Sequence, residues 1–199
     1  MNLENMFPNR MRVQEGHAHA EPHFRELISS DYFVIAKNIL QTRQAGYKSL
    51  TAHLPLEVQH ASVYDNLMQG LIFIKFSEIA KRSANINLQW ENAPLCKHDT
   101  WDLKHGQTMW YFIPTNIDLC LDTGHLMLGA SSINEGRKRI ERILSDRGEQ
   151  IKHLHVHVNN LISDLHITDP ERVREVLGKP LLEKLTEGRT YIYEIPSSR

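Results

Sequence analysis

Apolar residues recur at helical spacing in four stretches: "FRELISSDYFVIAKNILQTRQAG", "YDNLMQGLIFIKFSEIAKRS", "NEGRKRIERILSDRG" and "DPERVREVLGKPLLEKLTEG". This spacing predicts amphipathic helices. Gly46 closes the first with a residue suited to a left-handed C-cap, and Gly148 closes the third. In the fourth, Asp169 is the expected N-cap, Pro170 the first helical residue and Gly188 the exit. Pro180 is expected to break or kink that helix. Between the helices lie short extended runs: "KSLTAHL", "INLQWEN", "IDLCLDT", "KHLHVHV" and "TYIYEI". Helix and strand alternate, which predicts parallel strands joined by helical crossovers. "RVQEGHAH" reads as one further strand, and Leu95 to Pro114 as a loop with a short helix. With no linker or low-complexity tract, residues 1–199 are expected to form a single domain.

Side chains alternate faces along a strand. Ile86, Leu88 and Trp90 therefore share one face, while Asn87, Gln89 and Glu91 share the other. The same parity groups Ser49, Thr51 and His53; Asp118, Cys120 and Asp122; His153, His155 and His157; and Thr190, Ile192 and Glu194. Parallel strands are ordinarily apolar on both faces. Here each strand has one face that is mostly polar and ends on a metal-binding residue type. Those final residues, His53, Glu91, Asp122, His157 and Glu194, lie 31 to 38 residues apart. That period suits one strand–loop–helix–loop unit and places each of them at the C-terminal end of its strand. The active sites of (β/α) barrels are built from those ends. A barrel is the expected fold, because an open sheet has no reason to aim five polar strand faces at one centre.

Composition narrows the function classes. Lys and Arg total 23 against 24 Asp and Glu, so nothing in the overall charge calls for a polyanionic partner. The two cysteines, Cys96 and Cys120, are too few for a disulfide framework. No apolar run reaches the roughly 18 residues of a membrane span, and the N-terminus lacks the apolar core of a signal peptide. A cytoplasmic protein without membrane contact is the expectation. Histidine is the exception, with 12 residues.

The candidate ligands are His53, Glu91, Asp122, His125, His155 or His157, Asp164, His166 and Glu194. This set mixes imidazole and carboxylate without thiolate, which suits Zn, Mn, Fe(II), Co or Mg. Asp164 and His166 in "SDLHI" would face the same way in an extended loop, and Gly124 allows a tight turn between Asp122 and His125. Plainer readings exist for each residue. Asp122 suits the N-cap of "GHLMLG", His53 a hydrogen-bonded core position and Glu194 a solvated chain end. His153 lies deepest in its strand and reads as structural or as support for a ligand, whereas His157 lies nearest the strand end and is preferred to His155. His17, His19 and His23 are either a further ligand group or a polar segment, and His60, His98 and His105 read as surface residues. Trp90, Trp101 and Trp110 read as packing residues.

These segments resemble the xylose isomerase-like (β/α)8 barrels, a superfamily that includes sugar isomerases and epimerases and the endonuclease IV class. "LQWENAP" resembles the strand carrying the family's first metal-binding glutamate. "LCLDTGH" is the most specific match, similar to its Asp-Thr-Gly/Cys-His segment. "IKHLHVHVNN" resembles the strand with the ligand histidine, which aligns best on His157 and alternatively on His155. "SDLHI" and "YIYEIP" resemble the Asp-x-His loop and the last glutamate-bearing strand. The resemblance covers about Lys48 to Pro196. A complete barrel of this kind needs about 250 residues. The expectation is therefore an α/β, TIM-type barrel, N-terminally shortened or incomplete, with about six βα units recognisable and self-association covering the opening. The family's glycine-rich segment after Asp-x-His is replaced here by "ITDPERV".

The resemblance implies one to three divalent ions (Zn, Mn, Mg or Co) and a small polyhydroxy carbonyl substrate. Glu91 and Glu194 would exchange a proton as base and acid while the metal polarises the substrate. The competing implication is an endonuclease IV-like phosphodiesterase acting on abasic DNA, for which His53, Asp122, His125, Asp164 and His166 supply ligands for several ions. Balanced charge and the lack of a basic, aromatic loop stand against it. A non-catalytic metal-binding barrel is the third possibility.

Overall fold

The computed structural model describes residues 11–14, 17–20, 31–53, 71, 74–92 and 113–194. They belong to two compact units, one built from residues 1–91 with 108–118 and the other from 92–107 with 119–199.

The first unit contains β1 (Met11–Gln14), β2 (His17–Ala20), α1 (Asp31–Gln44), β3 (Ser49–His53) and β4 (Asn87–Glu91). β1 runs antiparallel to β2, so "RVQEGHAH" is two paired strands rather than the single strand expected. β2, β3 and β4 then pair in parallel, with His53 in register with Glu91. Helix α1 ends before Gly46, whose φ of +83° is the left-handed exit expected of it. Residues 74–79 are helical and widen into a π turn at Ala80–Ala84. Trp90 is buried and donates from Nε1 to Ser77 Oγ at 3.1 Å, a packing role. The core here is Ile39, Leu50, Ala52, Ala80, Ile86 and Leu88.

The second unit contains β5 (Leu119–Asp122), α2 (Thr123–Met127), α3 (Ile133–Arg147), β6 (Ile151–His155), α4 (Pro170–Leu177), α5 (Lys179–Thr186) and β7 (Thr190–Ile192). β5, β6 and β7 pair in parallel, and Lys152 is the extra residue of a bulge between β5 and β6. Ile140, Ile143 and Leu144 of α3, Val173, Val176 and Leu177 of α4, and Leu181 and Leu185 of α5 form buried stripes at helical spacing. Burying such aliphatic side chains stabilises the unit by roughly 1.5–3 kcal/mol each before entropy is counted.

Asp169 caps α4 by accepting from Arg172 N at 2.8 Å, and Pro170 opens the helix as expected. The break expected at Pro180 lies instead at Gly178. Its φ of +80° and ψ of 141° end α4, and Pro180 falls in the first turn of α5. There its missing N–H would have had no intrahelical partner, so proline is tolerated. Arginines close several helix ends: Arg139 donates to Leu128 O at 3.1 Å beyond α2, and Arg137 to Val176 O at 2.7 Å in α4. Among the described residues no helix is long and apolar enough to cross a membrane.

Candidate metal centre

β5 ends on Asp122 and the chain turns directly into α2, so this carboxylate stands where strand becomes helix. Its two oxygens do different work. Oδ1 accepts from His125 N at 2.7 Å and caps α2, while Oδ2 lies 2.9 Å from His157 Nε2. Capping and a place among the candidate ligands are therefore not alternatives for Asp122. Its backbone is held by Asn92, whose Nδ2 donates to Asp122 O at 3.0 Å and whose Oδ1 accepts from Asp122 N at 2.8 Å. Asn92 O also lies 2.7 Å from His125 Nδ1. A carbonyl only accepts, so Nδ1 carries a proton, and His125 Nε2 keeps its lone pair only while the ring is neutral. That nitrogen faces Asp164 Oδ2 at 3.4 Å.

Thr123 and Gly124 connect this corner to the end of β6. Thr123 Oγ1 donates to His157 O at 2.7 Å and accepts from His157 N at 3.2 Å. The His157 ring lies so close to Gly124 that a β-carbon at 124 would overlap Cε1 and Nδ1 of the imidazole. The glycine expected to permit a tight turn is required for this close approach instead. Asn159 Nδ2 donates to Gly124 O at 2.7 Å. A bridge between Val158 and Ile167 closes the loop that carries Asp164 and His166. His166 has a φ of +45°, an uncommon conformation for a side-chain-bearing residue. Its ring stacks on His157 with centroids 4.2 Å apart.

The result is a dense group of donors in the second unit, buried except for half-buried His166 and exposed Asp164. His125, His157, Asp164 and His166 each offer a ligand atom, all within 4.8 Å of one another. Asp122, His155 and Glu194 form another such set. His155 Nδ1 lies 3.5 Å from Glu194 Oε2 and 3.9 Å from Asp122 Oδ2, and His157 Nε2 lies 3.8 Å from Glu194 Oε2. Both His155 and His157 thus stand beside the carboxylates. Glu194 follows β7 by two residues and is buried rather than solvated. In the first unit, Glu91 is fully buried at the end of β4, and His53 ends β3. His17 and His19 lie in β2. His23, His60, His98, His105, Cys96, Trp101 and Trp110 lie outside the described residues. His153 Nδ1 meets Thr190 Oγ1 at 2.8 Å. Sequence reading did not single out Thr123 and Asn159 as supports, and it noted Asn92 only as the residue after Glu91.

Buried carboxylates are costly unless paired, hydrogen-bonded or bound to a cation. A donor set of imidazoles and carboxylates, fixed on strand ends and a pinned loop, fits a divalent ion of the Zn, Mn or Co kind. Proton equilibria show the same crowding. Burial disfavours the His157 cation, but the charge of Asp122 and its hydrogen bond, with help from Glu194, raise the pKa above 6.5. Burial pushes Asp164 upward, yet the hydrogen bond and charge of His125, with the charges of His166 and His157, carry it below 3.8.

No family model matches the chain, and no curated protein matches it. Solved structures do. The TTHB071 protein from Thermus thermophilus, soaked with ZnCl2, is similar at 12% identity and a TM-score of 0.55, over 96% of this chain and 74% of that one. A probable 3-DHS dehydratase, AsbF, from Bacillus anthracis is similar at 13% identity and a TM-score of 0.51, over 77% and 54%. An L-ribulose 3-epimerase matches at 16% identity and a TM-score of 0.47, over 80% and 52%. The chain spans about half the length of the last two. The likeness is one of fold: the chain is an α/β protein of the TIM-barrel type.

Two outcomes follow from the geometry. Gly124→Ala should displace the His157 ring and weaken Zn2+ binding about 10- to 100-fold, the usual scale for disturbing a ligand's support. Competition against a chromogenic chelator measures this, and an unchanged affinity would refute the contact's role. In chelator, the raised pKa of His157 adds stability that is complete below 6.5 and is lost as pH rises through the raised value. The gap in thermal midpoint between wild type and His157→Gln should therefore narrow as pH rises above 6.5 through the raised value. A gap that widens would contradict the pairing with Asp122.

Proposed function

We propose that the chain is a divalent-metal-dependent isomerase or epimerase acting on a small polyhydroxy carbonyl compound. One observation carries this reading: Asp122, His155, His157 and Glu194, contributed by β5, β6 and β7 or the residues just after them, meet in one buried group. Asp122, Glu194 and the two imidazoles would hold the ion. The bound ion would polarise the substrate's carbonyl and hydroxyl and stabilise the negative charge that develops on proton loss.

The chain's own residues do the rest. Glu194 takes the proton from the carbon beside the carbonyl and is the acid that returns it. Its side chain is buried, which keeps bulk water from competing for that proton. The Asn92 bonds hold Asp122 at the strand end, and the Thr123 bonds hold His157, so neither ligand need reorganise on binding.

A second reading, an endonuclease IV-like phosphodiesterase acting on abasic DNA, is favoured by one feature: the set of His125, His157, Asp164 and His166 offers ligands for an additional ion. Clustered ions can activate water and stabilise both oxygens of an in-line displacement. The net charge of −1 gives it no electrostatic support.

The two readings separate in one assay pair. The chain loaded with Zn2+, Mn2+ or Co2+ is incubated with a panel of aldoses and ketoses in deuterated water, and in parallel with a duplex containing an abasic site. Deuterium should appear at the carbon beside the carbonyl, and Glu194→Gln should slow this exchange about 100-fold or more. Incision of the duplex without any exchange would overturn the isomerase reading in favour of the nuclease.

A further inference from the structure

We propose that Cys120, His153 and His155 form a second, thiolate-containing site for a borderline-soft divalent cation such as Zn2+, sharing His155 with the Asp122–Glu194 set. All three side chains are buried, and their ligand atoms lie within 4.8 Å of one another. Cys120 is opposite His153 in the β5–β6 register, and His155 is two residues further along the same strand. The trio therefore begins one step down the strands from Asp122, on the face that parallel strands normally fill with aliphatic side chains.

The tautomer of His153 carries the argument furthest. Thr190 Oγ1 donates its single proton to Lys152 O at 3.2 Å. The same oxygen lies 2.8 Å from His153 Nδ1, so at that contact it must accept, and Nδ1 is the protonated nitrogen. The lone pair of His153 is thereby placed on Nε2. A partner that fixes one ring nitrogen as donor and turns the lone pair of the other toward an ion is the usual support of a metal-bound histidine. The His153 and His155 rings stand edge to face with centroids 5.4 Å apart.

A thiol and two neutral imidazoles bind a divalent ion with loss of one proton, from Cys120 Sγ to solvent. Three protein ligands of this kind leave the fourth position of a tetrahedral ion to water. The sulfur distinguishes this site from the carboxylate sets around Asp122 and Asp164, and it favours softer ions than they do. His155 belongs to both this trio and the Asp122–Glu194 set, so that ring links the two sites.

Cobalt spectroscopy tests the proposal without reference to turnover. The full chain is stripped with chelator and titrated with Co2+, and its near-ultraviolet absorption is recorded. A thiolate-to-cobalt charge-transfer band should appear in wild type, persist in Cys96→Ser and in His125→Ala, and vanish in Cys120→Ser with one equivalent less Co2+ bound. Thr190→Val, which removes the acceptor for His153 Nδ1 without touching a ligand, should raise the Co2+ concentration needed for the band about 10- to 100-fold. Cobalt binding with no thiolate band in wild type, or a band that follows Cys96, would overturn the site. Failure of the carboxylate sets to bind would appear instead as missing cobalt with the band intact.

Discussion

The Asp122 carboxylate cannot be buried between a strand end and a helix start unless both its oxygens are satisfied, and the site is arranged around that requirement. One oxygen takes the α2 cap from His125 N and the other faces His157 Nε2. An isolated ionised carboxylate in such a place would cost many kcal/mol or would protonate. Here the His157 ring meets the need, and the charge of Asp122 is why the His157 pKa is raised against its own burial. A divalent cation would meet the same need more strongly, competing with a proton for His157. Metal binding and proton release are thus coupled at one pair of side chains.

Around that pair the supporting contacts are short-range and rigid. Asn92 imitates a strand neighbour for Asp122 and fixes the tautomer of His125. Thr123 ties α2 to the backbone at His157, and the absence of a side chain at Gly124 makes room for its ring. Arg139, paired with Glu135, donates to the carbonyl of Leu128 just past α2, so that helix is held at both ends. The Val158–Ile167 bridge fixes the ends of a loop that would otherwise be free to carry Asp164 and His166 away. None of these supports is itself a good metal ligand, yet each determines where one points.

Much of this was legible in the chain before any coordinates. Strand parity placed Asp122, His155 and His157 on polar faces, and the repeat of roughly one βα unit between chemically similar residues indicated a barrel. Asp169 and Gly46 behave as their residue types imply. Other features were hidden because they depend on tertiary contact rather than local pattern. The break between α4 and α5 falls at Gly178 because only there does the backbone leave the helical region, whereas proline in a first turn is harmless. The hairpin of β1 and β2 was hidden within an alternation that one strand would show equally well. The requirement for Gly124 comes from a ring more than thirty residues away, and no spacing rule reports it.

The most direct measurement is anomalous X-ray scattering at the zinc absorption edge from crystals of the zinc-loaded chain. A peak within about 2.0–2.3 Å of ligand atoms drawn from Asp122, His155, His157 and Glu194 is the expected result. Zinc found only on surface histidines, or no peak near those four side chains, would contradict the central claim that the buried strand-end group is a metal centre.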